Sequence, residues 1–180
     1  MKVYTDSVFF PILNEYDFMQ EGHRIEFEDM NDKNSKLKYK GVVYNEMKGY
    51  MSDSDDILGF NIQKELFCDT IYKYNFGGDP KYIPSLTHGK LIEFHKKYYH
   101  PSNSLFYSYG DLKPKLSELN ELVLNQFSYI DADEVIETQE RYDHERFVEV
   151  SGPTDPMITD ENKQTKIAVS WLCNEVNDFK

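Results

Sequence analysis

Apolar and polar positions recur with two different periods along the chain. His23-Arg24-Ile25-Glu26-Phe27-Glu28 alternates with period two, the pattern of a strand with one buried face. A helical pattern begins at Tyr39, where Val43, Met47 and Met51 recur every four residues as one stripe. Gly49 weakens that helix by about 1 kcal/mol relative to alanine. Ser52-Asp53-Ser54-Asp55-Asp56 offers cap residues for a second helix, with Ile57, Leu58, Ile62 and Leu66 on its apolar side. Tyr72 to Asp79 reads as a tyrosine-rich loop ending in the turn Gly77-Gly78-Asp79-Pro80. Thr87 is suited to cap a third helix that turns Leu91, Phe94, His95 and Tyr98 inward and stops at His100-Pro101-Ser102-Asn103. Leu105 to Tyr109 reads as a short strand. Pro114 fits the first turn of a helix carrying Leu116, Leu119, Leu122, Val123 and Phe127.

The character of the chain then changes. Residues 131–145 hold seven acids in fifteen positions and few apolar side chains, the composition of a linker. Beyond it, Phe147 to Val150 and Thr165 to Leu172 read as strands separated by a Pro-containing acidic loop. Two strands alone cannot bury both faces, so 146–180 reads as the first strands of a following domain. Residues 1–130 form the preceding one. The fold class expected is α+β.

Composition sharpens this picture. The chain has 180 residues, enough for one domain or one plus part of another. Fourteen tyrosines and twelve phenylalanines argue against intrinsic disorder. Thirty-two acids against twenty bases leave a net charge of −12, which repels phosphate and argues against nucleic acid as a partner. The same field favours basic partners. Cys68 and Cys173 form no C-x-x-C motif, and no apolar run approaches the roughly 18 residues of a membrane span. The first residues do not have the pattern of a signal peptide.

Residue types alone assemble no complete active site. His88 and His95 are seven apart, a spacing that suits packing better than chelation; the plain expectation is imidazoles hydrogen-bonded to backbone. No G-x-S-x-G occurs, and no G-K-[ST] follows Gly77-Gly78. Glu15, Glu21, Glu26 and Glu46 are acid–base candidates only by type.

The strings themselves say more. Tyr39-Lys40-Gly41-Val42-Val43-Tyr44-Asn45-Glu46-Met47-Lys48-Gly49 resembles a segment of the presequence-protease and falcilysin branch of the pitrilysin (insulysin-type, inverzincin) zinc metallopeptidases. Phe9-Phe10-Pro11 and Asp17-Phe18-x-Gln20-Glu21-Gly22-x-Arg24 match the same branch upstream. Downstream follow Gly77-Gly78-Asp79-Pro80, Ile83-Pro84-x-Leu86-Thr87, Phe94-His95-x-x-Tyr98-Tyr99-His100-Pro101-Ser102-Asn103, Tyr109-Gly110-Asp111 and Gln164 to Leu172. The series runs in order over almost the whole chain.

The resemblance implies part of a pitrilysin-type α/β domain, an antiparallel sheet packed with helices and truncated on its N-terminal side. Full members are built as two halves of two domains each, which close into a chamber for unfolded peptides. Their Zn2+ is held by both histidines of H-x-x-E-H and by a later glutamate, while the motif's own glutamate activates the zinc-bound water. By position, Glu46 matches the late ligand. H-x-x-E-H does not occur in the 180 residues, so the chain alone is expected to bind no zinc tightly and to be inactive. The partners implied are unfolded peptides, basic ones by charge, and the remaining domains of a parent enzyme. Two alternatives stay open: a non-catalytic structural homologue, and an acidic protein-interaction module. Members occur in mitochondria, plastids, digestive vacuoles and in secreted form, which fixes no compartment.

Overall fold

The computed structural model describes residues 1–111, 115–131 and 137–174. Pro114, the middle of the acidic segment (132–136) and 175–180 lie outside them, and with them the expected first-turn proline. Among the described residues, helices and one two-stranded antiparallel sheet make up the regular structure, an α+β arrangement. Contacts divide the chain into two units, 1–20 with 85–135, and 21–84 with 136–180.

The first unit contains α1 (Lys2–Phe9), a short helical turn α2 (Glu15–Asp17), α5 (His88–Tyr98) and α6 (Leu116–Leu122). Thr87 caps α5 as its sequence predicts, accepting from the Lys90 amide at 3.3 Å. Two residues were expected inward and are not: Leu91 and Phe94 are exposed. The inner side of α5 is His88, Ile92, His95 and Tyr98 instead, because ring nitrogens rather than alkyl groups tie it down. The His88 Nε2 lies 2.5 Å from the Leu13 carbonyl and the His95 Nε2 2.8 Å from that of Val8. Phe9 and the fully buried Val123 form the centre of the core. The Phe127 ring meets Phe9 at 5.9 Å and stands edge-on to His100 at 5.0 Å.

The expected strand at Leu105–Tyr109 forms no ladder among the described residues. Phe106 meets Phe9 at 5.9 Å, but Leu105, Phe106, Tyr107 and Tyr109 are all exposed, so the segment has no buried face. A ladder needs a neighbouring strand to exchange hydrogen bonds, and none lies beside it among the described residues.

The second unit contains β1 (Arg24–Phe27), β2 (Leu37–Lys40), α3 (Val42–Tyr50) and α4 (Ser54–Leu66). β1 and β2 pair antiparallel, with Arg24 opposite Lys40 and Ile25 opposite Tyr39. The helical pattern therefore starts three residues later than its sequence suggests. Tyr39 and Lys40 are committed to the ladder, and Gly41 makes the break. The N-cap of α4 is Asp53, whose carboxylate accepts from the Asp55 and Asp56 amides at 2.7 and 3.2 Å. Those two amides hold the Asp53 pKa below the ordinary aspartate value. Ile57, Leu58, Ile62 and Leu66 are all half-buried, the side foreseen for them.

The expected strands at 147–150 and 165–172 form no ladder in the described residues. Phe147 is 92% and Trp171 75% exposed, and Val148, Ile167 and Val169 are exposed as well. The physical reason is again the lack of a partner strand. Lys166 reaches back to the start of α4, its ammonium 2.7 Å from the Ser54 Oγ and 2.5 Å from the Asp55 carboxylate.

Candidate functional site

Glu46 lies on α3. The half-buried side of that helix is Val43, Met47, Tyr50 and Met51, which agrees with the stripe read from the sequence. Val42, Asn45, Glu46 and Gly49 share the exposed side, spaced i, i+3, i+4 and i+7. Glu46 is exposed at the margin of the half-buried side, about 40° around the helix from Tyr50. Its carboxylate makes no hydrogen bond or ion pair with the described residues.

Two glycines make close contacts at α3. Gly41 precedes its first turn with its Cα against the backbone of Gly22. A Cβ at Gly41 would lie 2.1 Å from the Gly22 carbonyl oxygen and 2.8 Å from the His23 Cα. Halfway along, the Met47 thioether occupies the space that a side chain at Gly77 would need, 2.1 Å from a Cβ placed there. The turn holding Gly77 is tightly bonded. The Asn75 side chain accepts from the Gly77 amide at 2.9 Å, and the Asp79 carbonyl accepts from the Tyr82 and Ile83 amides at 2.8 and 3.0 Å. Ile83 behind it is buried.

The other acid candidates differ in environment. Glu26 is bonded by the Arg24 Nε at 2.9 Å and lies 3.3 Å from the Lys40 ammonium. The Arg24 hydrogen bond, reinforced by Lys40, holds its pKa below the ordinary glutamate value, so Glu26 is a poor proton acceptor near neutral pH. Glu15 and Glu21 are exposed. The histidines behave as the plain expectation has it. A carbonyl only accepts, so the Nε2 atoms of His88 and His95 carry protons and are committed to backbone.

No group of three or more His, Cys, Asp or Glu side chains converges among the described residues. A zinc site needs at least three protein ligands. The Glu46 carboxylate, exposed on a helix and without a partner among the described residues, has the chemistry of one such ligand. It cannot form a site by itself.

A second set of interactions closes the C-terminal end of α4, and nothing local in the sequence announces it. The Tyr142 hydroxyl donates to the Glu65 carbonyl at 2.7 Å, and the Arg146 guanidinium reaches the same carbonyl at 2.7 Å and the Glu65 carboxylate at 2.5 Å. Terminal helix carbonyls lack intrahelical donors, and a cation beside them is favoured by the helix dipole. Gln139 is buried and exchanges two hydrogen bonds with Asp69. Nearby, an open cleft of about 740 Å³ is lined by Phe67, Thr70, Gln139, Arg141, Trp171 and Leu172. Arg141 spans part of it, donating to the Leu172 and Cys173 carbonyls.

The sequence is similar to those of known proteins. Residues 85–180 match the model of the peptidase M16 inactive domain. The chain is 41% identical to the mitochondrial presequence protease of Xenopus tropicalis over 180 residues, covering 99% of the chain and 18% of that protein. It is 44% identical to the same-named protein of Drosophila melanogaster over 179 residues, covering 97% of the chain and 17% of that protein. Protein HypA of Clostridium perfringens is 44% identical over 147 residues, 79% of the chain and 15% of that protein. The chain belongs to the peptidase M16 family. It spans about 18% of the length of the curated relatives it matches.

Proposed function

We propose that this chain is part of a longer zinc metalloendopeptidase that degrades unfolded peptides inside a closed chamber. The observation that carries this is the identity of about 40% with presequence proteases along nearly the whole chain. In this account Glu46 supplies one oxygen ligand, and two histidines and a general base come from residues outside the 180. When bound, zinc supplies Lewis acidity toward a water molecule. The role of this chain is to hold a carboxylate in place. What supports it is the exposed face around Glu46, where Val42, Asn45 and Gly49 are short enough to let another helix pack close. The net charge of −12 favours basic peptides as substrates.

Within the same proposal, 131–145 is the connector between domains, and 146–180 opens the next one. Gln139 and Tyr142 then anchor the connector to the end of α4, and Arg146, just after it, bonds the same end. The exposed apolar segments at 147–150 and 165–171 are strands whose neighbours lie elsewhere in the parent protein.

The 180-residue chain, incubated with a basic unstructured peptide and added zinc, is expected to give no chelator-sensitive cleavage. Turnover that co-purifies with the chain and persists in Glu46→Ala would overturn the proposal.

A second reading has one observation in its favour: the matching family model describes an inactive domain. On that reading the protein is a non-catalytic homologue. An in-frame H-x-x-E-H coding sequence upstream supports the peptidase, and its absence supports the homologue.

A further inference from the structure

We infer that α4 is clasped at both ends by the chain that follows the acidic segment, and that the clasp opens and closes as one unit. The chain beyond Arg146 then leaves α4 in a fixed direction instead of swinging on a free tether. The inference needs no metal-ligand assignment. It rests on three sets of contacts that close a ring, the longest spanning 112 positions of sequence.

The first corner is the C-terminal end of α4. Tyr142 donates to the Glu65 carbonyl, Arg146 bonds the same carbonyl and the Glu65 carboxylate, and Gln139 exchanges hydrogen bonds with Asp69 just beyond the helix. The second corner is the opposite end, where Asp55 lies about 15 Å along the axis from Glu65. There the Lys166 ammonium reaches the Ser54 hydroxyl at 2.7 Å and the Asp55 carboxylate at 2.5 Å. A helix dipole disfavours a cation at its N-terminus, so it is these two side-chain oxygens that hold Lys166 there. The third corner joins the two clasping stretches to each other. The Arg141 guanidinium donates to the Leu172 carbonyl at 3.0 Å, to the Cys173 carbonyl at 3.3 Å and to the side-chain oxygen of Asn174. The loop before Lys166 is folded back on itself by Gln164. Its side chain accepts from the Asp155 amide at 2.6 Å and donates to the Ile158 carbonyl at 3.3 Å.

Taken singly, these contacts are weak. The Lys166–Asp55 and Arg146–Glu65 pairs are solvent-accessible, and an isolated pair of that kind contributes little. A closed ring changes this. Once two corners are joined, the partners of the third are held near one another and meet within one molecule, so less ordering remains to be done. Loss of one corner therefore loosens the others, although they share no atoms. Independent surface contacts would not behave so: removing Lys166 would then be felt only at Ser54 and Asp55.

The test is trypsin digestion of the intact parent protein, with cleavage after Arg146 timed by mass spectrometry. Trypsin must withdraw the Arg146 side chain from Glu65, so the rate follows the population of the opened clasp. Lys166→Met removes the far corner and touches neither Arg146 nor its partners. It is expected to speed cleavage after Arg146 about fivefold, the factor that one net hydrogen bond represents. Tyr142→Phe, at the near corner, should speed it by at least as much. Lys163→Met is the control. It removes a nearby lysine that is paired with Asp160 at 3.5 Å, outside the ring, and should leave the rate unchanged. Circular dichroism and the unfolding midpoint show that each variant is folded before digestion. Faster cleavage in Lys166→Met that Lys163→Met does not share supports the clasp. An unchanged rate in Lys166→Met, or equal acceleration in Lys163→Met, would overturn it.

Discussion

The hydroxyl of Tyr142 donates to the carbonyl of Glu65 at 2.7 Å, joining residues 77 positions apart at the last turn of α4. Arg146 lies over the Tyr142 ring, 4.7 Å from its centroid, and bonds the same carbonyl. Tyr142→Phe keeps the ring and removes only the donor. It is expected to destabilise the protein by about 1 kcal/mol, the usual net value of one such hydrogen bond. Urea unfolding monitored by circular dichroism measures it. Burial, with Cys68 beside it, raises the Tyr142 pKa above the ordinary tyrosine value. A raised pKa means this stabilisation is complete below about pH 10 and falls as pH rises through the folded-state value. Tyr142→Phe should therefore also flatten the alkaline loss of stability.

These contacts were not legible in the chain. Gln139 and Tyr142 sit in a stretch whose seven acids read as solvated linker, with Arg146 just beyond it, and no local pattern connects them with Glu65 or Asp69. What was legible was local. The Asp53 and Thr87 caps, the Met47 stripe and the strand at Arg24–Phe27 depend on neighbours within a few residues. The strands foreseen at 105–109, 147–150 and 165–172 form no ladder among the described residues, for the opposite reason. Their residues favour extended backbone, but a ladder depends on a partner that the segment itself does not encode. Glu46 was singled out only through the resemblance of its surrounding string of residues, whereas the contacts of Gly41 and Gly77 became visible only when segments distant in sequence met.

The two histidines of α5 give a prediction about tautomers. Both Nε2 atoms face carbonyls, so nitrogen-15 NMR should report protonated Nε2 in His88 and His95. Added zinc should leave both sets of resonances unchanged. His95→Phe keeps a ring beside Tyr99, now stacked at 4.7 Å, and loses the bond to Val8, for an expected cost of about 1 kcal/mol. A zinc-dependent shift at either ring would contradict the assignment.

The sheet carries a dependence on acid. Glu26 has its pKa depressed chiefly by Arg24, with Lys40 adding to it. A depressed folded-state pKa contributes stability that is present above the unfolded value, about 4.3, and is lost as pH falls through the folded-state value. The pair is solvent-accessible, so the effect is small and screened by salt. Glu26→Gln should reduce the difference in stability between pH 6 and pH 3. A variant with the same acid profile as the original would show that these ion pairs contribute nothing measurable.

The central claim is that Glu46 is a metal ligand of a longer M16 peptidase, and the most direct measurement is the zinc content of that parent protein carrying Glu46→Gln. Glutamine keeps the size and helix compatibility of the side chain and removes its charge. The account predicts loss of bound zinc and of peptide cleavage, with the circular dichroism spectrum and unfolding midpoint retained. Full zinc occupancy with normal turnover would make Glu46 an ordinary acid on a helix surface and contradict the account.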